Sequence, residues 1–373
     1  MSIDRLFPEL TDENREALDR FDAALKAAWP LKSKHRGQLK YDIRDMSRGL
    51  TSERADRRVD YMGDAKFLSP YVYYFLPWNL YRLSRLFAGL SFDVPDGARV
   101  ADLGSGPLTS VIALWLARPH LRERALEFTC LDRSHKAMQV GRDLFTAVAG
   151  KDSPWRIHTV KGAFTDHLRE KADLVIAANA FNELDWSGRV ARPQAAKLAE
   201  HLAGCTTETG RVLIVETGVR LAGRIIADLR TSLLEDGFKP IAPCPHVEAC
   251  PMPATGTGAP WCHFNLSAKG APDWLQSLSR EARLEKAGVS LNFLYASRQG
   301  AKEWGGVRII SEPFKVDEGR GQYACSHKGL TLVEYGMGGP GFEPGSLIVP
   351  DWPAAPKTDL KSGAVILPYK GRR

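Results

Sequence analysis

Four of the six cysteines are spaced as ligands to one centre. In PCPHVEACPMPATGTGAPWCHFNLS (residues 243–267), Cys244, Cys250 and Cys262 form C-x5-C-x11-C, and Cys325 follows after 62 more residues in YACSHKG. Soft thiolates suit zinc or an iron–sulfur cluster. Prolines follow Cys244 and Cys250, stiffening the loop and removing backbone donors. His246 and His263 offer a Cys3His zinc alternative. The segment is poor in apolar residues and rich in Pro and Gly, so it does not read as core. A loop this irregular needs a staple, and a bound metal supplies folding free energy directly. A disulfide framework is not expected in a chain of this size.

A second constellation lies upstream. VADLGSGPLTS (residues 100–110) places Gly104, Ser105 and Gly106 where a strand turns into a helix, so the backbone can approach a ligand. The next strand ends in Cys130-Leu131-Asp132, and an acid there can hydrogen-bond both ribose hydroxyls of a nucleoside. A dinucleotide loop needs G-x-G-x-x-G, yet position 109 is Thr. Asp102, at the mouth of the loop, attracts an ammonium and repels a pyrophosphate. S-adenosylmethionine (SAM) carries a sulfonium and an amino group and no phosphate. Asp102, Gly104 and Gly106 thus resemble the D/E-x-G-x-G loop of class I SAM-dependent methyltransferases, except that Leu108 stands where a small residue is usual and is expected to crowd the cofactor.

The fourth strand runs into DLVIAANAFNELDW (residues 173–186), whose end faces the transferred methyl in such a fold. Asn179, Phe181 and Asn182 are therefore expected to line the pocket. The [DN]-P-P-[YFW] motif of amino-methylating enzymes is absent, and so is the cysteine nucleophile needed for pyrimidine carbon methylation. Cys130 and Cys205 read as core or loop residues. Glu183 and Asp185 are nearby acids, but no general base stands out.

The elements that must position these residues follow from periodicity. A capped amphipathic helix is expected at 12–29, with Leu18, Phe21, Leu25 and Trp29 on one face, Thr11 as cap and Pro30 as terminator. The aromatic stretch SPYVYYFLPWNLYRLSRLF (69–87) reads as a helix pair broken at Pro77. Strands are expected at Arg99–Leu103, Glu127–Leu131, Arg156–Val160, Asp173–Ala177 and Arg211–Glu216, with helices between them and a clear one at 219–236. That alternation predicts an α/β, doubly wound, Rossmann-like sheet. Strand-like runs return at 289–297, 307–311 and 329–335, and the Gly/Pro-rich end reads as loosely ordered. The expected organisation is a helical, basic region 1–90, a methyltransferase-like domain 91–335 with a Cys-rich insertion at 241–270, and a basic tail 336–373.

Of 373 residues, 44% are hydrophobic and the net charge is +7, which suits a globular chain and permits nucleic-acid binding. The positive charge is concentrated in residues 32–58, with Lys32, Lys34, Arg36, Lys40, Arg44, Arg48, Arg54, Arg57 and Arg58 against four acids. No apolar run reaches the length of a membrane span. The N-terminus has neither a secretory signal nor a transit-peptide pattern, so a cytoplasmic monomer is expected.

Together these residues resemble the ribosomal small-subunit methyltransferase-like family of bacteria and mitochondria, the methyltransferase-like protein 17 type, over about residues 45–335. The likeness rests on R-x-x-Y-M around Arg58 and Tyr61, YFLPWNLYR, ADLGSGP, ANAFNEL, and above all C-P-H-x3-C-P, W-C-H-F and the late cysteine. The resemblance implies a class I SAM-methyltransferase fold holding a [4Fe–4S] cluster on Cys244, Cys250, Cys262 and Cys325. It also implies association with the small ribosomal subunit and its rRNA in assembly or translation. Active rRNA methylation is the alternative, as is methylation of a small molecule or protein beside a structural zinc. The fourth cysteine argues against a radical mechanism. The Cys250–Cys262 gap and the tail are longer than the family pattern.

Overall fold

A computed structural model describes residues 4–51, 61–92, 94–181, 184, 186, 191–255, 259–299, 305–317, 319–339 and 341–369. The N-terminal region is helical: α1 (Asp12–Asp19), α2 (Phe21–Ala28), α3 (Ser33–Thr51), α4 (Ala65–Pro70) and α5 (Leu76–Gly89). Thr11 caps α1 by accepting from the Asn14 N–H, as expected, and Leu18, Phe21 and Leu25 are buried. The single expected helix is two, meeting at Arg20. The aromatic stretch is one near-continuous rod. A wide π turn (Tyr71–Phe75) joins α4 to α5, and Pro77 falls in the first turn of α5, where its missing N–H costs nothing. Its rings are core: Tyr74, Tyr81 and Phe87 are buried.

The central sheet is built of β1 (Arg99–Leu103), β2 (Glu127–Asp132), β3 (Arg156–Lys161), β4 (Ala172–Ala178), β5 (Thr206–Thr217), β6 (Lys239–Ala242), β7 (Phe264–Ser267) and β8 (Gly288–Ser297). Its order is β3-β2-β1-β4-β5-β8-β6, with β7 also on β8. The first five strands are parallel, and β8 runs antiparallel to β5. Helices α6 (Thr109–Ala117), α7 (His135–Ala149), α8 (Ala191–Cys205), α9 (Arg220–Glu235) and α10 (Asp273–Glu281) complete the domain. Period-two alternation divides the sheet between two cores. Leu174, Ile176, Leu213 and Val215 join the cluster under α5, α6 and α7, whereas Val175, Ala177, Val212 and Ile214 join the one under α8 and α9. This is a mixed α/β fold with a central, doubly wound sheet, as expected.

The C-terminal end departs from expectation. β9 (Val307–Ile309), β10 (Phe314–Val316), β11 (Gly319–Ser326), β12 (Gly329–Tyr335), β13 (Leu347–Ile348) and β14 (Val365–Pro368) form a second sheet. The Gly/Pro-rich tail, read from composition as loosely ordered, supplies its last two strands. Leu367 is fully buried there, and Leu347 donates its N–H to the Asp4 carbonyl. Long-range pairing overrides what the turn-rich composition suggests. Among the described residues, no helix is long and apolar enough to cross a membrane.

Candidate functional site

The glycine loop is held from below by the end of β2. Gly104 and Ser105 both donate their N–H groups to the Leu131 carbonyl, at 2.8 and 3.1 Å. Gly106 donates to Asp132 Oδ2 at 2.8 Å, and Ser134 donates to Asp132 Oδ1 at 2.8 Å. All three loop amides are thus donated within the protein, so the loop offers no cradle of free N–H groups to a phosphate. Gly104 has φ +73°, and a Cβ on it would lie 2.7 Å from the Ala180 Cβ. Glycine is required there by both backbone and contact. Over Gly106 stands Met62, its Cε 3.7 Å from an ideal Cβ position.

Leu108, expected to crowd the cofactor, is packed inside the domain. It adopts φ 57°, is fully buried, and drives its Cδ1 toward Gly141 of α7. Its side chain is spent on helix packing. Ser105 is buried with its hydroxyl on Leu131 O.

Asp102 is also placed differently from expectation. Its side chain is buried, 1% exposed, and not open to solvent at the loop mouth. Neither oxygen has a hydrogen-bond partner of ordinary geometry among the described residues. Burial pushes this carboxyl up to about 7; Asp132 reinforces the rise and Ser110 opposes it. Because folding raises this pKa from 3.8, the folded state binds the proton more tightly. Stability from this group is therefore full below about pH 4 and declines as pH rises through about 7. The Asp102→Asn variant is expected to flatten that decline, gaining on the order of 3 kcal/mol relative to the native chain at pH 8. Urea unfolding at pH 5 and pH 8 checks this, and parallel slopes for both proteins would contradict it.

At the carboxyl end of β4, Asn179 has φ 57° and its Oδ1 accepts from Arg82 Nη2 at 2.7 Å. Arg82 also donates to Asn79 Oδ1 and to Ser290 O, both at 2.9 Å. Its guanidinium is 5% exposed; burial lowers its pKa to about 10, against the attraction of Glu216, so it stays charged at neutral pH. Glu216 is fully buried and accepts the Phe181 N–H at 2.8 Å. Phe181 itself is 1% exposed and packs on Phe164, so its ring belongs to the core. Asn182, Glu183 and Asp185 lie outside the described residues. Sequence reasoning passed over Arg82 and Glu216. The signal for Arg82 is a lone cation inside the apolar run YFLPWNLYR.

A cavity of about 420 Å³ lies at the opposite end of the sheet, bordered by His167, Lys171, His201 and Cys205. His201 Nε2 contacts Phe164 O at 2.9 Å and Cys205 Sγ at 3.7 Å.

The four cysteines of interest come from two places, the connection between β6 and β7 and the strand β11. Cys244 follows β6, Cys262 precedes β7, Cys250 lies in the loop between them, and Cys325 arrives from β11 in the second sheet. They share one electrostatic neighbourhood. Burial raises the thiols of Cys262 and Cys325 well above the usual range, and the neighbouring cysteines raise them further; Cys250 is pushed up to about 11 by burial and then by Cys244. Among the described residues, no three His, Cys, Asp or Glu side chains are closed tightly enough to hold a single metal ion. His246 Nε2 lies 3.1 Å from Cys325 Sγ. His263 is turned elsewhere, stacked on Trp261 with Nδ1 on the Trp261 carbonyl.

The chain is thus a mixed α/β protein whose glycine loop is tied to the acid-tipped end of its second strand, with a thiol-rich seam between its two sheets. It belongs to the Rsm22 family: the family model described as mitochondrial small ribosomal subunit Rsm22 matches residues 91–329. No curated protein matches. Among solved structures, the chain is similar to a magnesium protoporphyrin IX methyltransferase from Synechocystis with bound SAH (15% identity, 70% of this chain and 99% of that chain, TM-score 0.38). It is also similar to a SAM-dependent methyltransferase from Thiobacillus denitrificans in complex with S-adenosyl-L-homocysteine (15%, 59% and 90%, TM-score 0.34). These scores are too low to carry an argument about activity.

Proposed function

We propose that this is a methyltransferase-like protein of the small ribosomal subunit that binds SAM, holds a [4Fe–4S] cluster and contacts rRNA during assembly or translation. The observation that carries this reading is the match of the Rsm22 model over residues 91–329. The SAM pocket would use the Gly104–Gly106 loop and Asp132, with Asp102 beneath it. A loop without free amides and with two acids beside it suits a cationic nucleoside better than a dinucleotide. Cys244, Cys250, Cys262 and Cys325 would hold the cluster. Thiols that share a neighbourhood without closing on a point suit a centre of several irons better than one zinc, whose thiolate bonds are only about 2.3 Å.

An assembly role is favoured over active rRNA methylation by Arg82, which already occupies the Asn179 carbonyl that an amino acceptor would seek. For rRNA, α3 presents exposed Lys34 and Arg36, with Lys40 and Arg44 each 5.3 Å from the ring of the exposed Tyr41. Arg54, Arg57 and Arg58 extend that basic sequence outside the described residues. A cytoplasmic monomer is part of the proposal.

Sedimentation with small ribosomal subunits over a salt series tests it. Reversing Lys34, Arg36 and Lys40 to glutamate is expected to weaken association. The log–log salt slope should fall by roughly 0.7–0.9 for each phosphate no longer neutralised. An unchanged slope would return that face to solvent.

A further inference from the structure

Two buried arginines flank the four cysteines. Arg230, on α9, is 3% exposed. Its Nη2 donates to the carbonyls of His246 (2.9 Å) and Glu248 (2.7 Å), both between Cys244 and Cys250. Its Nε–H is buried with no acceptor among the described residues. Arg308, on β9, is 2% exposed and is the register partner of Cys325 across β9 and β11. It donates Nε to Pro243 O at 3.1 Å, immediately before Cys244, and Nη1 to Gly345 O at 2.8 Å.

The two Arg230 hydrogen bonds end on neutral carbonyls. Among the described residues no carboxylate pairs with Arg230, and Asp4 is the carboxylate that acts on Arg308. A buried guanidinium without an anion is costly. Neutral thiols would leave that cost standing. Four thiolates around a doubly positive core instead form a doubly negative group, to which the Arg230 guanidinium supplies counter-charge.

We propose that Arg230 is a positioning residue of the four-cysteine site, supplying counter-charge that a dianionic thiolate-bound centre requires. The proposal rests on the cluster reading above. Consistent with it, Arg230 opposes the burial-driven rise of the Cys250, Cys262 and Cys325 thiols, and the cysteines in turn hold up the Arg308 pKa against burial. Net charge and hydrogen bonds to the sulfurs are the main levers on cluster potential. The fixed positive charge of Arg230 eases the arrival of one electron, and His246 adds a ring nitrogen 3.1 Å from the Cys325 sulfur.

The test compares the full chain with its Arg230→Lys and Arg230→Met variants, each loaded anaerobically. Iron and sulfide are counted, and the midpoint potential is taken by titration with dithionite, which donates one electron to the cluster. Arg230→Lys keeps the charge, so it is expected to load and to hold a near-native midpoint. Arg230→Met is expected to load with a midpoint shifted negative by a tenfold or greater change in the oxidised-to-reduced ratio, about 59 mV for one electron. Failure of Arg230→Met to load while Arg230→Lys loads supports the same conclusion. Full loading of Arg230→Met at the native midpoint overturns the proposal alone. So does equal loss of the cluster in both variants, which would make Arg230 a loop clamp only. A native chain that takes up no iron overturns the cluster reading and this proposal with it.

Discussion

The Cys262→Ser variant is expected to lose its metal and to melt at a distinctly lower temperature. Cys262 stands at the entry to β7, at the end of a loop from Pro243 whose described residues form no helix or strand of useful length. Such a loop has few backbone bonds of its own, so a thiolate-bound centre contributes folding free energy directly. Serine offers a hard, poorly ionised oxygen in place of a soft thiolate. Iron is expected to fall well below half of the native content. A loss on the order of 3 kcal/mol or more would appear as a Tm lower by about 5 °C or more. Cys130→Ser is the control. Cys130 is fully buried within β2, and β1, β4, β5 and β8 stand between that strand and β6 in the sheet. Its loss therefore costs packing and leaves iron content intact. Retention of full metal and native Tm by Cys262→Ser would sink the shared-site account.

The Asp132→Ala variant is expected to weaken SAM binding by roughly 10- to 100-fold, the equivalent of losing one or two charge-assisted hydrogen bonds. Its carboxylate does two things at once. It accepts the Gly106 and Ser134 N–H groups, so it sets the glycine loop and the start of α7. Half-buried at the tip of β2, it also stands at the carboxyl end of the parallel strands, where such sheets bind ligands. Asp132→Asn, which can still accept, is expected to lose less. Calorimetry decides between them: equal affinity in the native and alanine proteins would remove Asp132 from the site.

The parallel half of the sheet was legible in the sequence because its strands are short apolar runs bounded by turns. Arg99–Leu103 is β1 to the residue, and the 219–236 periodicity is α9 within a residue at each end. β5 begins earlier than its apolar run, at Thr206, because its first residues pair with Ala172 across an irregular register that no local pattern reveals. The glycine loop and Asp132 were legible for a local reason: their backbone bonds join the ends of adjacent strands. The buried charges were not. Arg230 occupies an ordinary helical position, and its carbonyl partners lie in a loop 16 and 18 residues away. Arg82 meets Asn179 across 97 residues. Composition hid β13 and β14 for the same reason, since a strand completed by partners elsewhere needs little apolar pattern of its own.

That four cysteines from two sheets hold one iron–sulfur centre is tested most directly by anaerobic purification followed by iron, sulfide and zinc analysis, with an ultraviolet–visible spectrum. The expected result is about four irons and four sulfides per chain and a broad shoulder near roughly 400 nm. One zinc without iron would contradict the iron–sulfur reading and make the site a structural tetrahedral one.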